Sequence, residues 1–119
     1  MAKTEVDLSQ VVSDVHADLP ISTEATTSRT VVSNDAVRVV AFAMDRGQEL
    51  TDHSAPRPVV VQVVEGSLTV TVAGETHEMT AGDVVYLAPN ERHAVAALTP
   101  CRFVLVLSMA ATSSSPAGI

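Results

Sequence analysis

Two segments that open on a glycine constrain this chain more than anything else in it, residues 47–66 and 82–97. The first reads GQELTDHSAPRPVVVQVVEG and the second GDVVYLAPNERHAVAA. Each carries one histidine, His53 or His93, and is otherwise built from short apolar runs between turn signals. Valine dominates those runs, and its branched Cβ suits a pleated surface better than a helical turn. The same rhythm fills the chain from residue 30 onward, which predicts strands over 30–33, 37–44, 48–54, 59–65, 68–72, 75–80, 84–87, 93–97 and 102–109. About nine short strands with Gly, Pro and Asn-Asp punctuation are the pattern of an all-β sandwich or barrel.

Only the first part of the chain shows a different period. Leu8, Val11, Val12, Val15 and Leu19 recur at helical spacing, with Gln10, Ser13, Asp14 and Asp18 opposite. Asp7 is a suitable cap and Pro20 a suitable stop, so the spacing predicts one short N-terminal helix over 7–19. Its apolar stripe would cover the domain's own sheet or a partner subunit. His16 falls on the polar side of that helix and receives no role. Residues 20–29 are rich in Ser and Thr and read as a loop. The domain limits follow: an N-terminal helix and loop over 1–29, a β-barrel over 30–109, and a disordered tail over 110–119, whose Ser-Pro-Gly composition is low in complexity.

Composition narrows the classes of function. The 119 residues make one domain by length. Apolar residues are 46% of the chain but aromatics only 3%, so Val, Leu, Ala and Met must build the core. Fourteen acids stand against seven bases, a net charge of −7, and no basic run occurs. Phosphate-backbone binding depends on Lys and Arg clusters, so no nucleic-acid partner is expected. Cys101 is the one cysteine and reads as structural. No stretch resembles a signal peptide or a bilayer-crossing segment, so the expectation is a cytoplasmic protein without a membrane partner.

The two opening segments resemble the paired motifs of the cupin superfamily. The first motif of that family spaces Gly, His, His, Glu and Gly as Gly47, His53, Ala55, Val59 and Gly66 are spaced here. The second spaces Gly, Pro, Gly and His as Gly82, Ala88, Asn90 and His93 are, with Pro89 displaced by one. The resemblance covers most of the chain and implies a small cupin-type β-barrel, or jelly roll. It also implies a metal site of three histidines and a glutamate. This chain keeps His53 and His93 as metal candidates and puts Ala55 and Val59, which have no lone pair to give, in the other two positions. Two imidazoles hold a divalent transition metal (Zn, Fe, Ni or Mn) less firmly than the three protein ligands usual in a catalytic centre.

Glu49 shares the parity of His53, and His77 that of Met79, so each is a candidate third ligand from inside the barrel. The pocket is expected to be walled by Ala55, Val59, Val61 and Val95 as ligand-binding residues. Gln62 has the opposite parity and faces a second sheet or a subunit interface, while Tyr86 packs with its hydroxyl at an edge. The leading expectation is a small-molecule-binding barrel with a reduced, two-histidine metal site. The alternatives are a metal-dependent oxygenase or isomerase of a small metabolite, and a purely structural partner domain. An exposed sheet face in so small a domain favours a homodimer, formed through the helix or the first strands.

Overall fold

The structure is a computed structural model that describes residues 3–109, apart from the side chains of Asp52 and His53. The expected tail over 110–119 lies outside the described residues. Nine strands follow one another: β1 (Thr27–Ser33), β2 (Val37–Met44), β3 (Glu49–His53), β4 (Val59–Glu65), β5 (Ser67–Val72), β6 (Glu75–Thr80), β7 (Val84–Leu87), β8 (His93–Ala97) and β9 (Cys101–Ser108). They form a five-stranded sheet in the order β1-β2-β9-β4-β7 and a four-stranded sheet in the order β3-β8-β5-β6. Every pairing is antiparallel. The two sheets face each other as a jelly roll, the all-β architecture that the sequence predicts.

Strand period explains the core. On β4, Val59, Val61 and Val63 are buried while Val60, Gln62 and Val64 point outward. That is the alternation required of a strand with one face on the core. Leu68 and Val70 of β5, Met79 of β6 and Val95 of β8 answer from the other sheet, and Met44, Leu87 and Phe103 complete the cluster. Two of the chain's three aromatics meet here: Phe42 and Phe103, cross-strand neighbours on β2 and β9, stack with ring centroids 5.0 Å apart and planes within 1°.

The N-terminal segment departs from the expected helix. Among the described residues there is no helix. Asp14 (φ +50°) and Asp18 (φ +57°) adopt the left-handed conformation, which a right-handed helix cannot accommodate. The turns between them close by three-residue steps instead, Ala17 N–H to Asp14 O at 2.9 Å and Leu19 N–H to His16 O at 3.1 Å. The segment is a strap across the outer side of the five-stranded sheet. Val15, Leu19 and Ile21 pack over Ala41 and Ala43, whose small side chains let the strap lie close to β2.

Polar contacts hold the strap down. The Arg29 guanidinium, on β1, donates to the carbonyls of Ala17 and Val15 at 2.7 Å each. His16 lies 3.1 Å from the carbonyl oxygens of both Phe42 and Phe103. Two acceptors on one ring nitrogen assign the proton to Nε2, which donates to both. His16 thus has a role after all, as a pin between strap and sheet. Leu8 and Val11 lie in solvent, so only the second half of the apolar stripe covers the sheet.

Candidate functional site

The site is built where β3 and β8 meet the loops over 54–58 and 88–92. His93 opens β8 and is 8% exposed, the one buried polar or charged side chain among the described residues. Its Nδ1 lies 3.1 Å from the carbonyl oxygen of Glu91. A carbonyl only accepts, so Nδ1 carries a proton and donates. A backbone carbonyl holding one nitrogen in this way sets the orientation of the imidazole.

The loop that delivers His93 depends on Asn90. Its φ is +65°, a conformation that Asn tolerates better than most residues. Asn90 occupies the position where the resemblance has glycine, so backbone shape and not side-chain chemistry is what the position requires. Its N–H donates to the carbonyl of Ala55 at 2.7 Å, which ties the second loop to the first.

His53 comes to this place by register. Its Cα pairs with that of His93, and the same row continues to Val72 on β5 and Glu75 on β6. The side chain of His53 lies outside what the structure describes. Between Leu50 and His53 the pairing shifts: Leu50 opposes Val95 and His53 opposes His93, three steps on β3 against two on β8. An extra residue of this kind is a β-bulge, and it reverses the facing of everything beyond it.

The bulge corrects the expectation for Glu49. Leu50 packs against the core, and Glu49 pairs with Ala96 on the outer side of the four-stranded sheet. There Glu49, Thr51, Thr69, Thr71, Ala94 and Ala96 line a shallow groove of about 120 Å³. Glu49 is therefore on the wrong face to complete a site with His93.

His77 is also remote. It belongs to the row of Val70 and Val95, two strand spacings or roughly 10 Å from β8. Its half-exposed ring lies 3.6 Å from the Glu75 carboxylate on the same edge strand.

Of the expected pocket walls, Val59, Val61 and Val95 are buried in the core and Ala55 packs against it. Val59 turns its isopropyl group inward from the position where the resemblance has a carboxylate. The donors present do not fit a four-ligand centre. Among the described residues no three His, Cys, Asp or Glu side chains lie together as metal ligands would. Cys101 adds none: it is fully buried, and burial pushes its thiol up to about 11.

A second hollow, about 470 Å³ and open to solvent, lies between the strap and β9, lined by His16, Asp18, Leu19, Pro20 and Arg102. Sequence reasoning missed this hollow and the outer groove, because both arise from elements distant in the chain. Asn90 could have been found, since an asparagine at a glycine position of a motif is itself a sign of a left-handed backbone. No helix among the described residues is long and apolar enough to cross a membrane.

Comparison with known proteins agrees with this geometry. No curated protein matches the chain. Among solved structures it is similar to a conserved protein of unknown function from Streptococcus pyogenes, with 24% identity, a TM-score of 0.77, and coverage of 94% of this chain and 98% of that one. It is also similar to an RmlC-like cupin from Shewanella frigidimarina, with 26% identity and a TM-score of 0.68 over 71% of this chain and 76% of that one. A mutant salicylate 1,2-dioxygenase from Pseudoaminobacter salicylatoxidans shares the fold at 18% identity and a TM-score of 0.68, over 77% of this chain but 29% of the enzyme. The sequence pattern of the cupin domain matches residues 40–107, a span that opens on β2 and reaches into β9. This chain belongs to the cupin family.

Proposed function

We propose that this cupin binds a small molecule at the end of the barrel marked by His53 and His93, with a metal site reduced to those two imidazoles. The observation that carries the reading is the burial of His93 with its ring oriented by Glu91, in register with the other histidine. A buried, oriented imidazole among valines is the kind of convergent polar group that fixes a ligand in an otherwise apolar site. The ligand class is a compact, largely apolar molecule carrying a polar group that meets the imidazoles of this site. Ala55, Val59, Val61 and Val95 form the apolar surroundings. A divalent metal here needs its remaining ligands from water or from the bound molecule. The competing reading, a metal-dependent oxygenase or isomerase, needs further donors from the protein, and Glu49 and His77 stand away from His93. The reading sets the protein in the cytoplasm.

The test is made on protein purified without chelator or histidine tag, beside a His53→Ala/His93→Ala double variant. Metal is measured by inductively coupled plasma mass spectrometry and retained small molecules by extraction and mass spectrometry. The expected result is metal well below one per chain in both proteins, with a small molecule retained by the parent and lost in the variant. About one metal per chain in the parent and none in the variant would replace this reading with the metal-dependent one. A parent that retains neither would remove both.

A further inference from the structure

We infer that the hollow between the strap and β9 is a second small-molecule site, and that it takes an aliphatic α-amino acid in its zwitterionic form. The hollow, about 470 Å³, is lined by His16, Asp18, Leu19, Pro20 and Arg102. That is within the range of small-molecule sites, roughly 300–1,000 Å³. Its three polar side chains each have bonding capacity that the protein does not use. His16 turns Nε2 onto the carbonyls of Phe42 and Phe103. The two ring nitrogens point apart, so Nδ1 is left on the side away from the sheet, and in the neutral ring it accepts a hydrogen bond. The Arg102 guanidinium gives Nη1 to the Glu65 carboxylate, while Nε and Nη2 meet no protein group among the described residues. The Asp18 carboxylate meets none either. Arg29 and His16 already hold the strap on the sheet, so these groups are preorganised.

Charge selects the ligand. An anion on Arg102 would face the carboxylates of Asp18 and Glu65, on a chain of net charge −7. A cation on Asp18 would face the Arg102 guanidinium and leave its remaining donors without an acceptor. A zwitterion meets both conditions. Its ammonium donates to Asp18 and to Nδ1 of His16, and its carboxylate accepts from the fork of Arg102. Leu19, which is buried, and Pro20 form the apolar wall, and that wall suits an aliphatic side chain. A ligand placed in this way joins the strap to β9 and holds it against the sheet. The site is on the outer side of the five-stranded sheet and is independent of what the barrel end binds.

The test is an NMR titration of isotope-labelled protein at neutral pH with L-leucine, isoamylamine and isocaproate. These carry both charges, the cation alone and the anion alone, on the same aliphatic chain. Leucine should saturate the protein with a Kd below about 1 mM, shifting the amides of residues 16–19 and Arg102. The amine and the acid should each bind at least about tenfold more weakly. Bound leucine should also slow amide exchange at Ala17 and Leu19, whose N–H groups close the turns of the strap. Asp18→Asn removes the charge but keeps a residue that tolerates the left-handed φ of +57°, so the variant should fold. Leucine should bind that variant at least about tenfold more weakly. No saturation by leucine at about 10 mM overturns the inference. So do equal binding of the amine or the acid, shifts centred on His93 instead of the strap, and an affinity unchanged in Asp18→Asn.

Discussion

A methyl group on Gly66 would sit 2.1 Å from the carbonyl oxygen of Pro100 and 2.9 Å from the Cα of Cys101. The residue also holds φ at +76°. This is why the first motif closes on glycine: the turn between β4 and β5 runs directly under the entry to β9. Gly66→Ala combines a left-handed penalty of about 1–2 kcal/mol with an overpacking cost of about 1–3 kcal/mol, because backbone and not a flexible side chain is in the way. Urea denaturation should show a loss of about 3 kcal/mol or no folded protein. Asn90 is a milder case, in open loop. Asn90→Gly should lie within about 1 kcal/mol of the parent, and Asn90→Val should lose about 1–2 kcal/mol by the same measurement.

Cys101 sets a pH dependence at the same scale. Burial raises its thiol from 9.0 to about 11 in the folded chain. The folded state therefore keeps the proton that the unfolded state releases, and the contribution is complete below about pH 9. It is lost as pH rises through about 11, because each further unit favours the unfolded thiolate. The parent should lose on the order of 2 kcal/mol of stability between pH 9 and 11 that Cys101→Ala does not lose. Comparing the two slopes removes the titration common to both proteins. A slope unchanged by the substitution would contradict the assignment.

At the scale of elements, the strands were legible because glycine and proline separate valine runs too short to be anything else. The limits of β2, β4, β6, β7 and β8 agree with those read from the sequence. Two elements were not legible, each for a definable reason. Parity assigned Glu49 and His53 to one face, which assumes an unbroken two-residue period, and nothing in Leu50-Thr51-Asp52-His53 announces the bulge that breaks it. Helical spacing from Leu8 to Leu19 is present in the sequence, but tertiary contacts override it. Ala41 and Ala43 offer a shallow seat, while Arg29 and His16 exchange hydrogen bonds with backbone across the sheet. Of the candidate site, motif spacing placed His53 and His93 on two segments whose strands pair with these residues opposite each other. The orientation of the His93 ring was not legible, since it depends on the path of the 88–92 loop. Arg29→Ala should leave the carbonyls of Val15 and Ala17 without their donor, at a cost of about 1–3 kcal/mol. Amide hydrogen exchange should then speed up at residues 17 and 19 before it does so in β2 and β9.

At the scale of the molecule, chain order and spatial order diverge most at β9. The last strand lies in the middle of the five-stranded sheet, flanked by β2 over its whole length and by β4. It also supplies Cys101 and Phe103 to the core. A chain ending at residue 100 therefore lacks the piece that joins β1-β2 to β4-β7. It should show no cooperative thermal transition and little β signal by circular dichroism.

The central place of β9 has a consequence for the chain while it is being made. β2 is complete at Met44, yet the strand that fills its inner edge ends at Ser108, 108 − 44 = 64 residues later. At roughly 5–20 residues per second, the ribosome takes about 3–13 s to cover that distance. Throughout that interval β2, joined by β4 once residue 65 is made, carries an unfilled edge and an uncovered valine face, the two features that attract other nascent chains. Translation speed over residues 45–108 is thus part of what determines how much of this protein reaches its native state. Codon choices that slow the ribosome there should lower the soluble yield.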